Sequence, residues 1–341
     1  MLHAKRLKIF YAVQATGNGH ISRAIEIYPH LQKYGEVDVF LSGSNYDLKS
    51  DLPVAYKSKG ISLAYNQQSG SIDIKKTIKN IRLKQLWREA KYLPIEKYDL
   101  VINDFESITS IACQLKGKHS VHFGHQASFA SKEVPRPKKK DLMGELVLSN
   151  YAKGSSNIGL HFEKYDRFIF QPIIKKAILN AEPCNDGHFT VYLSQFSLEI
   201  LRKYFHQLNK FKFHIFSGEV LNTHEDGNIK FLPINKEVFN KSLITCNGII
   251  TSAGFETPAE ALYLGKKLMV VPIAGQYEQI CNAAALVDSF HVKSVKTVDE
   301  NFSTHFYNWI NTTSSKSLYL TETTEQIIDN VINWGLSSKV N

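Results

Sequence analysis

The stretch from Ile249 to Leu286, IITSAGFETPAEALYLGKKLMVVPIAGQYEQICNAAAL, restricts the fold of this chain more than any other. Ile249-Ile250-Thr251 is a short β-branched run that reads as a strand, and Ser252-Ala253-Gly254-Phe255 is a turn. Glu256 to Leu264 has helical spacing, with Thr257 expected as its cap and Pro258 in the first turn, where its missing N–H costs nothing. Gly265 ends the helix, Leu268 to Val271 is a second buried strand, and Pro272 closes it. Strand, helix, strand and helix in close succession call for an open α/β sheet.

Such a unit has a chemical consequence. A turn of small residues lets a ligand approach the backbone, and the helix behind it aims unpaired N–H groups at that space, so the turn suits a phosphate. Glu260, in the first turns of the helix, is near enough to accept hydrogen bonds from a ribose diol. Gln276-Tyr277-Glu278-Gln279 and Asn282 supply polar groups for sugar hydroxyls.

The ordered set Ser252-Ala253-Gly254, Glu260, Gly265, Pro272, Glu278-Gln279 and Asn282-Ala283 resembles the donor-binding signature of two-domain GT-B glycosyltransferases. It is most similar to the family 28 enzymes, which include the lipid-linked N-acetylglucosaminyltransferase of peptidoglycan synthesis. The wider nucleotide-sugar glucosyl- and glucuronosyltransferases are also similar. The resemblance implies that Ser252, Ala253, Gly254 and Phe255 hold the donor diphosphate, that Glu260 holds the ribose, and that Glu278 and Gln279 hold the donor sugar. It further implies an α/β protein of two Rossmann-like domains facing across a cleft.

The amino terminus carries the second motif. Leu7 to Val13 reads as a strand, Gln14 to His20 as a glycine-rich loop and Ile21 to Tyr34 as a helix. The basic start followed by an apolar run mimics a signal peptide, but the run is short and breaks at Thr16-Gly17-Asn18-Gly19-His20, so it reads as a first strand. Gly17 and Gly19 alone do not complete a dinucleotide fingerprint. The loop instead resembles the glycine-rich loop of the same transferases, which implies that Gly17, Asn18 and Gly19 border acceptor and diphosphate. His20 is either the general base that takes a proton from an acceptor hydroxyl or a helix-capping, phosphate-contacting residue.

Tyr98 to Glu106 is a strand running into a polar end, where ligands of open α/β sheets sit, so Asp104 and Glu106 are expected at the cleft. Asp104 either orients His20 as a catalytic carboxylate does, or caps the helix near Ser107. His125, after the strand Ser120 to Phe123, is a second base or acceptor contact, or a structural histidine. Ser131 to Lys140 reads as a mobile basic loop over the acceptor cleft.

The excess charge is uneven. Residues 1–150 hold 23 Lys+Arg against 14 Asp+Glu, whereas residues 151–341 hold 18 of each, so the whole net +9 lies in the first half. That favours a partner with negative charge, such as an anionic membrane surface, a phospholipid-linked acceptor or nucleic acid. The basic helical stretch Ile72 to Leu93 is either a solvated face or a lipid attachment. Nucleic acid is not expected, because the basic segment 131–140 lacks interleaved aromatics. Four scattered cysteines fit buried, reduced thiols in a cytosolic protein, and no metal site is expected.

The expected domains are residues 1–155 on the acceptor side, residues 185–320 on the donor side, and a helix over 321–341 that returns to the first domain or caps the second. The same resemblance implies that Ser194 to Ser197 face the donor phosphates and that the loop of Phe231, Leu232 and Ile234 frames the nucleobase. The expected reaction is an inverting, metal-independent transfer of sugar from a nucleotide-sugar donor to a hydroxyl, with no cofactor. UDP is the expected nucleotide, and UDP-N-acetylglucosamine is the donor implied by resemblance. The expected location is cytoplasmic, peripheral to the inner membrane face. A UDP-sugar 2-epimerase and a non-catalytic nucleotide-sugar-binding protein are the alternatives.

Overall fold

The computed structural model of the chain describes residues 6–43, 52–60, 83–312 and 315–337. The Ile72–Arg82 part of the basic helical stretch lies outside these residues.

Two parallel sheets organise the molecule. The first contains β1 (Leu7–Gln14), β2 (Gly35–Ser42), β3 (Val54–Ser58), β4 (Leu100–Asp104), β5 (Val121–Gly124), β6 (Ser156–Leu160) and β7 (Ile169–Phe170), in the order β3-β2-β1-β4-β5-β6-β7. The second contains β8 (His188–Tyr192), β9 (Lys212–Phe216), β10 (His224–Asp226), β11 (Ile229–Leu232), β12 (Gly248–Thr251), β13 (Lys267–Val270) and β14 (Lys293–Ser294), in the order β10-β11-β9-β8-β12-β13-β14. Among the described residues every pairing is parallel except that of β10 with β11.

The helices are α1 (Asn18–Leu31), α2 (Leu83–Tyr92), α3 (Ser107–Lys116), α4 (Leu142–Asn150), α5 (Lys176–Leu179), α6 (Leu198–Phe205), α7 (Lys236–Thr245), α8 (Glu256–Tyr263), α9 (Tyr277–Phe290), α10 (Phe302–Ile310) and α11 (Thr324–Ser337). Central strands read as unbroken apolar runs because helices cover both faces of each sheet. In β1, Ile9 to Val13 are all fully buried. Parallel strands require helical crossovers, which accounts for the alternation along the sequence.

The first sheet runs past the expected boundary at residue 155, because β6 pairs with β5 and β7 with β6. The crossing to the second sheet is therefore the segment from Gln171 to Gly187, which contains α5. Within the segment 131–140, Arg136 is held in place. Arg136 donates to Glu145 (2.7 Å), Val134 O (2.8 Å) and Phe129 O (3.0 Å), and its guanidinium lies over the Phe129 ring.

The last helix settles the question left open for the carboxyl-terminal segment. Ile327, Ile328, Val331 and Ile332 of α11 are buried in a cluster shared with β1, β4 and β5 of the first sheet, and Gly335 sits against Leu100 and Val121. Lys33 Nζ pairs with Glu325 (2.7 Å), and the Tyr34 hydroxyl donates to Asp329. The chain leaves the second domain and closes over the first.

Ile328 is fully buried at this contact. Ile328→Ala should therefore cost about 2–5 kcal/mol, the usual range for removing a large buried aliphatic side chain, and should lower the denaturant midpoint without changing the slope.

Candidate active site

Each sheet reverses its winding once, and open α/β sheets place ligands beyond the strand ends at such points. In the first sheet the reversal lies between β1 and β4, whose carboxyl ends lead into Gly17–His20 and Asp104–Glu106. In the second it lies between β8 and β12, whose ends lead into Ser194–Ser197 and Ser252–Phe255. The two reversals line one cavity of about 930 Å³ between the domains.

The first wall is built around a turn. The Asn103 side chain brackets Glu106, donating to its carbonyl (2.9 Å) and accepting from its N–H (2.7 Å). This clamp holds Phe105 at φ +54, a left-handed conformation rare for a bulky residue. The turn sends its two acids to different places. Asp104 reaches His20, with Oδ1 2.8 Å from Nδ1. Glu106 instead folds back and accepts from Ile108 N (2.8 Å) and Thr109 N (2.6 Å) as the buried cap of α3. The expectation that Glu106 faces the cleft is thereby corrected. An extended reading of Asp104-Phe105-Glu106 could not see the turn.

Arg23, one helical turn after His20, holds the other side of Asp104. Its Nε lies 3.1 Å from Oδ2, and its Nη2 lies 2.7 Å from Oδ1 and 2.9 Å from Oδ2. Burial alone would raise the Asp104 pKa, but Arg23 and His20 outweigh it and hold the group near 2. An ionised carboxylate can only accept, so the proton shared with His20 rests on Nδ1. The Nε2 atom is then the acceptor nitrogen on the cleft side, 3.5 Å from the Gln126 amide. Gly124 permits this packing: a Cβ there would stand 2.9 Å from Asp104 Oδ1 and 3.1 Å from Arg23 Nη2.

His125 touches the cavity, but both ring nitrogens are engaged. Nδ1 faces Leu160 O (2.9 Å) and Nε2 faces Asn282 Oδ1 (2.7 Å), while the ring stacks on Phe255 at 4.1 Å. The second-base alternative is corrected, since no ring nitrogen of His125 is left for an acceptor.

On the second wall, Ser252, Gly254 and Phe255 line the cavity at the start of α8, which no side chain caps. Phe255, not Thr257, holds the cap position. Ala253 is buried behind the turn, where its carbonyl accepts from Asn282 Nδ2 (3.0 Å). Glu278 accepts from Gln126 across the cleft (2.9 Å). Gln279 lines the cavity while accepting from Ile273 N (2.9 Å), which fixes the loop after β13.

Glu260 is buried and does not reach the lining. Its Oε2 lies 3.0 Å from Lys175 Nζ, close enough for an ion pair but not aligned as a hydrogen bond. Lys175, on the crossing segment, faces the cleft in its place and also reaches Asn240 Oδ1 (3.2 Å).

Phe231 and Leu232 are corrected as well. Phe231 belongs to the apolar core of the second domain, and the buried Leu232 offers its carbonyl to Ser217 N (3.1 Å). Of the expected nucleobase residues Ile234 alone lines the cavity, beside Phe216 and Phe239, whose rings meet at 5.1 Å. Ser194 to Ser197 line the cavity as well.

Sequence reasoning missed Arg23, Gln126, Lys175 and Glu256. The i, i+3 spacing of His20 and Arg23 was the one available signal. Lys175 gave none, because a crossing segment has no periodicity to read.

Gly124 has φ +123 as well as the close carboxylate and guanidinium neighbours. Gly124→Ala should therefore destabilise the fold by more than about 1 kcal/mol. Equilibrium unfolding in urea measures this, and an unchanged midpoint would contradict the packing described.

Comparison with known proteins bears on the family and the fold. The family model described as "Glycosyl transferase family 1" matches residues 7–309. No curated protein matches the sequence. Among solved structures, Arabidopsis thaliana UGT89C1 complexed with UDP-L-rhamnose aligns at 10% identity and TM-score 0.57, over 98% of this chain and 97% of that one. Phytolacca americana UGT2, complexed with UDP-2fluoro-glucose and pterostilbene, aligns at 11% identity and TM-score 0.55, over 98% and 92%. Acinetobacter baumannii MurG aligns at 16% identity and TM-score 0.52, over 97% and 95%. These likenesses carry the fold, two parallel-sheet domains of GT-B type, as the sequence resemblance implied. With the family model covering most of its length, the chain belongs to glycosyl transferase family 1 and is a glycosyltransferase.

Proposed function

We infer that this glycosyltransferase uses a nucleoside-diphosphate sugar, UDP-linked in the first instance, and moves the sugar to a hydroxyl with inversion. The observation that carries this reading is the pair His20–Asp104 at 2.8 Å on one wall of the cavity, facing the uncapped start of α8 on the other. Asp104 fixes the ring so that Nε2 can take the acceptor proton. The freed oxygen attacks the anomeric carbon from the side opposite the diphosphate, the new C–O bond forms as the bond to phosphate breaks, and configuration inverts. Asp104 stabilises the resulting imidazolium.

Charge building on the diphosphate is met by the amides at the start of α8 and its dipole rather than by a divalent cation. The base lies against Phe216, Ile234 and Phe239. The sugar lies toward Glu278 and Gln279. Lys175, backed by Glu260, is the cation nearest the ribose. Solved UGT structures that carry UDP-sugars on the same fold support UDP, and UDP-N-acetylglucosamine is the first donor to try.

The acceptor surface has its own support. The outer face of α4 exposes Leu142 (81%), Met143 (61%), Leu146 (58%) and Val147 (47%), directly after the exposed Lys138, Lys139 and Lys140. Apolar side chains beside a lysine cluster suit an anionic bilayer that presents a lipid-linked acceptor. No helix among the described residues is long and apolar enough to cross a membrane.

Three outcomes are expected. His20→Ala and Asp104→Asn should lower turnover about 10²–10⁴-fold, as loss of a general base does, while UDP still raises the melting temperature. Equal turnover in wild type and His20→Ala would remove the base assignment. Incubation with donor alone should yield no epimer, and EDTA should leave the rate unchanged.

Replacing Lys138, Lys139 and Lys140 with Gln should weaken sedimentation with phosphatidylglycerol vesicles by about 3 kcal/mol, at about 1 kcal/mol per lysine. Equal binding of wild type and variant would remove this face from the account.

A further inference from the structure

The start of α8 is the place the proposed function gives to the donor diphosphate, yet the first residue of that helix is an acid. Glu256 sits there nearly buried, and its carboxylate is ion-paired with Arg23 Nη1 of the opposite domain. The contact is close on both sides: a Cβ on Gly19 would stand 3.3 Å from Glu256 Cγ. The same guanidinium already holds both oxygens of Asp104. One buried cation thus serves two carboxylates drawn from two domains.

We propose that Glu256 is a built-in stand-in for the donor diphosphate, closing the empty cleft on Arg23 when ionised and yielding Arg23 to the incoming phosphates when protonated. The inference rests on the donor-site reading above and adds two things to it, a phosphate-binding role for Arg23 and a proton taken up with the donor.

The charges require an exchange of this kind. A diphosphate brings about two negative charges to a site that already holds an excess of one. Like charges in a low-dielectric pocket raise each other's cost steeply, so ionised Glu256 and a bound phosphate exclude one another. The charged or titratable groups that act on Glu256 are Arg23 and His20 on α1, Tyr11 on β1, Asp104 at the end of β4, and Glu260 on its own helix. Burial raises its pKa most. Arg23 and His20 oppose that, Glu260 and Asp104 add to it, and the result is about 7. Because the folded value lies above the ordinary one, Glu256 is mostly neutral below pH 7 and ionised above it, so donor affinity should fall as pH rises through 7.

The test is UDP binding by calorimetry to wild type and Glu256→Gln at pH 6 and pH 8. With a pKa near 7, about one tenth of wild type is neutral at Glu256 at pH 8, so its Kd should be about tenfold weaker than that of Glu256→Gln, while the two should agree within about twofold at pH 6. Wild type should also take up close to one proton at pH 8 per UDP-N-acetylglucosamine, whose sugar-linked diphosphate has no ionisation of its own near that pH, read from buffers of different ionisation enthalpy. That measurement needs no variant and stands even if Glu256→Gln folds poorly.

Equal affinities at both pH values with no proton uptake would overturn the exchange and leave the donor site intact. Weaker binding by Glu256→Gln at both pH values would overturn it too, making Glu256 a direct donor ligand. Failure of UDP, GDP and dTDP to bind either protein would overturn the donor-site reading and this inference with it.

Discussion

A guanidinium buried between two domains governs this structure. Arg23 is almost inaccessible to water, and a charge so placed persists only beside an ionised partner and with its donors satisfied. Asp104 supplies one partner from its own sheet and Glu256 supplies the other from across the cleft. Several features then follow. Gly124 has no side chain because one would strike the pair. The Asn103 clamp and the left-handed Phe105 aim Asp104 at it. His20 acquires an oriented ring because it shares the Asp104 carboxylate. An isolated pair of this kind adds little net stability, since desolvation consumes most of the attraction. Its contribution is geometric: it fixes which atoms of two separately folded sheets face each other.

The alternation of short apolar runs with helical spacing follows from covering both faces of a parallel sheet, so both sheets and the Ile249–Leu286 unit were legible. The cleft was legible too, because strand ends at winding reversals are fixed by connectivity. Boundaries were less so. The stretches Ile158 to Phe162 and Arg167 to Phe170 read as strands, but which sheet takes them is not written locally: β6 joins the edge of β5 and β7 joins β6, so the first sheet continues past residue 155.

The site was legible where a motif is local and obscure where it is not. His20 and Asp104 announced themselves by strand-end position, though only the fold joins residues 84 positions apart. Arg23 and Glu256, 233 positions apart, could not be paired from the sequence. Glu106, Phe231 and Leu232 were misplaced for one reason: the direction of a side chain near a strand end depends on a turn or pleat that composition does not reveal. Glu260 shows a subtler limit. Its position in the helix was legible, but the lysine that covers it arrives from a crossing segment without pattern.

The returning helix α11 has a consequence for how the molecule can move and be divided. Because the first domain is completed by residues 324–337, the polypeptide spans the gap between domains twice. Any opening must bend both connecting strands of chain together, which favours rotation about one axis over free tumbling of two beads on a string. It also means that a contiguous fragment ending after β7 would leave the apolar stripe of β1, β4 and β5 bare, so excising either half by a single cut should yield aggregation rather than an autonomous module.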